Sequence, residues 1–219
     1  MIQKATLQFL TELKKHNDKE WFDANRKKYE SAKDDIQQLT QQLIDAIGAF
    51  DSNIAVLQPK ECTFRINRDV RFSKNKAPYK TNMAAYFAKG GKKSTNAGYY
   101  LHIEPGASFL AAGCWGPEPA KLAAIRQEID YNFSDWNKLV TSKTFTQTFK
   151  NGLSQEQVLL RPPKGYDEHN LAIQYLKLKG FIVTQTLDDA LLTSTTMVKE
   201  ITKMFKVAQP FVDFLNTAE

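Results

Sequence analysis

The chain has 219 residues, 42% hydrophobic, 25% charged and 11% aromatic, with a formal net charge of +6. That is ordinary globular composition, and a chain of this size buries roughly 70% of its unfolded surface without disulfide or metal staples. Two distant cysteines, Cys62 and Cys114, fit buried thiols in a reducing, cytoplasmic setting rather than a zinc knuckle or redox dipeptide. No run nears the roughly 20 apolar residues of a membrane span, so no membrane partner is expected.

Met1 to Leu13 mixes Leu7, Phe9, Leu10 and Leu13 with polar residues and lacks the unbroken apolar run of an export signal. Asn17-Asp18 followed by Glu20 reads as a helix start. Trp21, Phe22, Tyr29, Ile36, Leu39, Leu43, Ile44 and Ile47 then recur at helical period to about Phe50. From Glu61 to Asn67 the period changes to two, with Cys62, Phe64 and Ile66 alternating against Thr63, Arg65 and Asn67, as in a strand with one buried face. Ala84 to Ala88 is a second candidate strand, followed by a cationic loop at Gly90-Gly91-Lys92-Lys93-Ser94. Gly98 to Glu104 and Ser108 to Cys114, joined by Pro105-Gly106-Ala107, predict an antiparallel hairpin. On its first strand Tyr99, Leu101 and Ile103 take one face, and Tyr100, His102 and Glu104 the other.

Helices are predicted over Ala120 to Asp130, Phe133 to Val140 and Thr144 to Lys150. Leu159 to Tyr166, with Pro162-Pro163, is excluded from regular helix. Asn170 to Lys177 predicts a helix, Phe181 to Leu187 a strand, and Asp188-Asp189 the start of a C-terminal helix to about Thr217, kinked or interrupted at Pro210. Helices at both ends of a hairpin-rich middle predict an α+β fold, an antiparallel sheet packed by N-terminal and C-terminal helices. Neither a repeat nor a linker interrupts the chain, so a single domain over residues 1–219 is expected.

The charge is not spread evenly. Between Lys60 and Lys93 lie ten bases against Glu61 and Asp69, a net of +8, which leaves −2 for the rest of the chain. A localised excess of one sign attracts anions and raises their encounter rate. Its densest part, Arg65 to Lys80, holds six cations in sixteen residues. On an extended chain Arg65, Asn67, Asp69 and Arg71 point the same way, and guanidinium forks suit the paired oxygens of phosphate or carboxylate. Asp69 is then placed to orient an arginine, and the turn-rich run Phe72 to Lys80 to close over an anion. The other reading pairs Arg65, Arg68 and Arg71 with Glu20, Asp23, Glu30 or Glu104 in a structural network.

Three runs carry a family likeness. They are Arg65-x-x-Arg68-Asp69-x-Arg71-Phe72-x-x-Asn75-Lys76-x-x-Tyr79, Lys19-Glu20-Trp21-Phe22-x-x-Asn25-Arg26-x-x-Tyr29 upstream, and Gly98-Tyr99-Tyr100-Leu101-His102-Ile103-Glu104-Pro105-Gly106 downstream. With Arg161-Pro162-Pro163-Lys164-Gly165-Tyr166 they resemble the bacterial and fungal family catalogued as domain of unknown function 2461. The resemblance spans nearly the whole chain and implies a single domain of about this size. It brings no activity, substrate or catalytic assignment with it.

The chemistry expected from the residues is therefore anion binding by Arg65, Arg68, Asp69, Arg71, Lys76, Tyr79 and Lys80. His102 and Glu104 stand beside them as acid or base if an enzyme operates here. The partner expected first is a small anionic molecule; a nucleic acid or an acidic protein surface is the alternative, bound through the same segment with Lys89, Lys92 and Lys93. No metal site is expected: His102-x-Glu104, even with His16 or His169, lacks a helical histidine pair or clustered carboxylates. Phosphate loops, dinucleotide turns and a nucleophile elbow are absent, so no cofactor is named.

Overall fold

In chain order the computed structural model, which describes residues 1–218, begins α1 (Lys4–Lys15), α2 (Lys19–Ala24), α3 (Arg26–Gly48), α4 (Ser52–Ala55), α5 (Pro59–Cys62) and β1 (Met83–Phe87). The hairpin β2 (Gly98–Ile103) and β3 (Phe109–Cys114) comes next, then α6 (Pro119–Tyr131), α7 (Phe133–Thr141), α8 (Lys143–Thr148), α9 (Ile173–Leu176), β4 (Phe181–Thr186), α10 (Asp189–Leu192) and α11 (Met197–Thr217). The strands make one antiparallel sheet in the order β1-β2-β3-β4, with helices at both chain ends, so the fold is α+β as expected. No helix among the described residues is long and apolar enough to cross a membrane.

Four expectations are corrected. The long N-terminal helix breaks at Asn25, whose φ of −106° and ψ of 19° leave the helical region, so α2 and α3 are separate. Glu61 to Asn67 is not a strand: α5 ends at Cys62, and the segment then touches its neighbour only through isolated antiparallel bridges, Thr63 to Ala85 and Asn67 to Tyr79. Asn170 to Lys177 forms only the four-residue α9. At the C-terminus a short α10 precedes α11, and Pro210 lies inside α11 without ending it.

Contacts divide the chain into two compact units. The first is Met1–Lys92 with Tyr100–Leu110 and Thr186–Lys203; the second is Lys93–Tyr99 with Ala111–Gln185 and Met204–Glu219. In the first, α1, α2, α4 and α5 pack on α3, whose Ile36, Leu39, Leu43, Ile44 and Ile47 are buried at the spacing of one helical face. Buried Asp35 of α3 supplies the cap that Gln3 lacks, accepting from the Gln3 amide at 2.9 Å and the Thr6 hydroxyl at 2.6 Å. In the second unit the fully buried Trp136 is ringed by Tyr175, Phe181, Phe211 and Phe214. Gly113 there has φ +123°, and a Cβ on it would lie 1.9 Å from the Phe181 carbonyl oxygen, so β3 and β4 approach more closely than any side chain allows.

Candidate functional site

The candidate residues all fall in the first unit. Their frame is a short ribbon: the Phe64 amide donates to the Ala84 carbonyl, the Lys80 amide to Ile66, and the Arg68 amide to Pro78, closing residues 69–77 into a loop. Two side chains from outside hold it. The Asn17 amide reads both backbone groups of Tyr79, accepting its N–H and donating to its carbonyl at 3.0 Å each. Lys92 donates to the carbonyls of Lys60 at 2.5 Å and Thr63 at 2.7 Å, where α5 ends.

Most of the motif is spent on its own loop. Arg68 donates from Nη1 to the Ala77 carbonyl at 3.0 Å and from Nη2 to Ser73 Oγ at 3.3 Å. Arg71 grips Asp69 with Nε at 3.0 Å and Nη2 at 2.6 Å, an exposed pair that holds the Asp69 carboxyl below its ordinary range. Lys76 donates to the Val70 carbonyl at 3.0 Å. Tyr79 is buried, its ring stacked on Phe22 at 4.0 Å and 14°. The structural network with distant acids does not form either: Asp23 pairs with Lys19 and Arg26, Glu30 with Lys33, and Glu104 with Lys14.

Arg65 and Lys80 are different. Neither side chain has an ion pair or hydrogen-bond partner among the described residues, although Lys80 lies 5.4 Å over the Phe64 ring. Burial lowers the Lys80 ammonium, and the nearby Arg65 charge lowers it further. Two cations are thus held together, one of them partly desolvated; the nearest carboxylate that feels the Arg65 charge, Asp69, is gripped by Arg71. The extended-chain prediction aligned Arg65 with Arg71; residues 69–77 instead close into a loop outside any strand.

On β2 the alternation is as read from sequence, with Tyr99, Leu101 and Ile103 buried and Tyr100, His102 and Glu104 partly open. Glu104 Oε1 accepts from Thr81 Oγ1 at 3.0 Å and Lys14 Nζ at 3.2 Å, and its Oε2 lies 3.3 Å from His102 Nε2. Nδ1 of His102 lies 3.0 Å from the Tyr100 hydroxyl. Burial raises the Glu104 carboxyl, but the hydrogen bonds from His102, Lys14 and Thr81 outweigh it, so the net shift is below the ordinary value. Burial also lowers His102, more than Glu104 raises it. The resting pair is therefore carboxylate and neutral imidazole. A carboxylate only accepts, so Nε2 carries the proton and Nδ1 is left to accept from Tyr100 O–H. The two halves of the site adjoin: the Phe64 ring beneath Lys80 meets Tyr100 edge-on at 6.3 Å.

Lys14 and Asn17 were invisible to motif reading as site residues, since no local pattern reports a partner 62 to 90 residues away. Tyr100 was visible as the third member of its strand face. Among the described residues no group of three or more His, Cys, Asp or Glu side chains is placed to share a metal ion. Burial pushes the Cys62 thiol up to about 12 and raises Cys114, so neither is a nucleophile at rest.

Residues 5–214 match the family described as Conserved hypothetical protein (DUF2461), and the chain belongs to it. Comparison with curated proteins and with solved structures finds no match.

Proposed function

We propose that this member of the family binds a small anion, phosphate- or carboxylate-bearing, between Arg65 and Lys80, and that the His102–Glu104 pair supplies acid–base chemistry to it. The observation that carries the reading is the pairing of two cations whose side chains make no ion pair or hydrogen bond of their own, the nearby Asp69 carboxylate being gripped by Arg71. Like charges brought together and partly desolvated lower stability, and an arriving anion relieves both costs. Arg68, Arg71 and Lys76 order the neighbouring loop in this reading, and Asp69 restrains Arg71. Calorimetric titration with inorganic phosphate tests it. Arg65→Ala and Lys80→Met should each weaken binding at least about tenfold, the loss expected for a charge-assisted hydrogen bond, while Arg71→Ala leaves it within about twofold. Failure of the wild type to bind, or loss of binding in Arg71→Ala alone, overturns it.

A second reading rests on Phe72, which is 95% exposed at the tip of the cationic loop with the Arg71 guanidinium 5.8 Å from its ring. An open aromatic face beside cations suits a stacked base of single-stranded nucleic acid. It requires retention of an oligonucleotide that weakens steeply with salt and is lost in Phe72→Ala. An acidic protein partner, which also needs only exposed cations, would show the salt dependence without base stacking.

A further inference from the structure

Both ring nitrogens of His102 are occupied, Nδ1 by Tyr100 and Nε2 by Glu104, and one face of the ring is stacked on Phe109 at 4.7 Å and 18°. Only 13% of the side chain is exposed. A bound substrate therefore cannot reach a ring nitrogen without displacing a partner. The chain of hydrogen bonds is also directional. One end is anchored, because Glu104 is fixed by Lys14 of α1 and by Thr81. Its other end is the half-buried Tyr100 hydroxyl, which has no second hydrogen bond among the described residues and whose ring meets Phe64, over which Lys80 lies.

We infer that Tyr100 is the residue that meets the substrate, and that His102 and Glu104 act through it as a proton relay. The inference rests on the anion reading above and deepens it: the ligand is an anion that also bears an ionisable O–H or N–H group. As that group passes its proton to Tyr100 Oη, the hydroxyl proton moves from Oη to His102 Nδ1. The electron pair of the broken bond stays on the substrate, beside Lys80 and Arg65. The imidazolium formed keeps donating its Nε2–H to the Glu104 carboxylate, which stabilises the new positive charge, and the proton returns along the same path when the product leaves. No co-reactant is needed. The charged and titratable groups engaging this path are Tyr100, His102, Glu104 and Lys14, with Lys80 over the Phe64 ring that meets Tyr100 and Arg65 beside Lys80.

Under this assignment His102 and Glu104 are positioning residues and Tyr100 is the catalytic one. A reagent that acetylates phenols, N-acetylimidazole, reads the reactivity of each tyrosine by mass spectrometry without knowledge of the substrate. Attack by Oη forms the acetyl–oxygen bond and breaks the acetyl–nitrogen bond, the phenolic proton passes to His102, and the departing imidazolide takes a proton from water to leave as imidazole. Acetylation of Tyr100 should slow at least about tenfold in His102→Phe and in Glu104→Gln. That is a modest part of the about 10²–10⁴ that general-base assistance contributes on a true substrate. Tyr131, 74% exposed and in the other unit, should keep its rate and so reports unfolding. Equal Tyr100 rates in the wild type and both variants overturn the relay. Nitrogen NMR of the wild type decides it independently of any variant: Nδ1 of His102 without a proton supports the direction of transfer, and a protonated Nδ1 at neutral pH overturns it. Inorganic phosphate should protect Tyr100. Dependence on His102 without phosphate protection supports the relay and refutes the anion site; phosphate protection without dependence on His102 does the reverse.

Discussion

Asn17 is the residue whose loss should be felt furthest from its own position. Its amide supplies the partners of both backbone groups of Tyr79, and the next two residues are Lys80, which faces the proposed anion, and Thr81, which holds Glu104. Asn17→Ala strips two part-buried hydrogen bonds and offers nothing in return. At about 0.5–1.5 kcal/mol net per bond the cost is about 2 kcal/mol. For a chain of this length each kcal/mol moves the midpoint of thermal unfolding by about 2–4 °C, so a drop of about 4–8 °C is expected by calorimetry. Asn17→Asp separates the two bonds: it still accepts the Tyr79 N–H but sets an oxygen against the Tyr79 carbonyl, so it should not recover the loss. Phosphate affinity should fall along with stability, because Lys80 loses its fixed position. A midpoint for Asn17→Ala within about 1 °C of the wild type would refute the reasoning, since no hydrogen-bonded clamp could then be operating there.

Three further outcomes follow from the packing and the titrating groups. Because His102 is lowered from 6.5, the unfolded chain takes up its proton first as the pH falls. Stability should therefore decline from pH 6.5 down to the folded-state value, and urea midpoints for His102→Phe should lose that slope. Glu104 is lowered from 4.5, so its contribution is complete above that pH and fades only below it; Glu104→Gln should flatten the more acidic limb. Gly113→Ala places a Cβ 1.9 Å from a backbone oxygen at a φ of +123°, and soluble expression or a cooperative melt should be lost. Cys62 and Cys114 should both resist a thiol-specific disulfide reagent in the native protein and react fully in denaturant; rapid labelling of the native chain would contradict their burial.

The hairpin was legible because a period of two with a Gly-containing turn admits few other structures, and the same alternation put Tyr100, His102 and Glu104 on one face. An equally good alternation at Cys62 to Asn67 misled. Between its two bridges the segment advances four residues while its partner advances six, so the pairing cannot continue as a regular ladder. The motif's cations were legible as a cluster but not by role. Whether an arginine serves its own loop, as Arg68 does, or stands unpaired, as Arg65 does, depends on backbone carbonyls that every residue carries. That the Tyr79 ring stacks on Phe22 was not legible, because the two lie 57 positions apart in sequence. The +8 segment is therefore much less a free cationic surface than its sum implies, since Arg68, Arg71, Lys76 and Lys92 are committed within the chain.

Crystals of the protein soaked in arsenate, a phosphate stand-in whose anomalous scattering marks its place, would locate the anion itself. The expected result is one anion within hydrogen-bond distance of both Lys80 Nζ and the Arg65 guanidinium, on the side of the Phe64 ring that meets Tyr100. An anion seated instead on Arg68 or Arg71, or none at concentrations that saturate phosphate binding in solution, would contradict it.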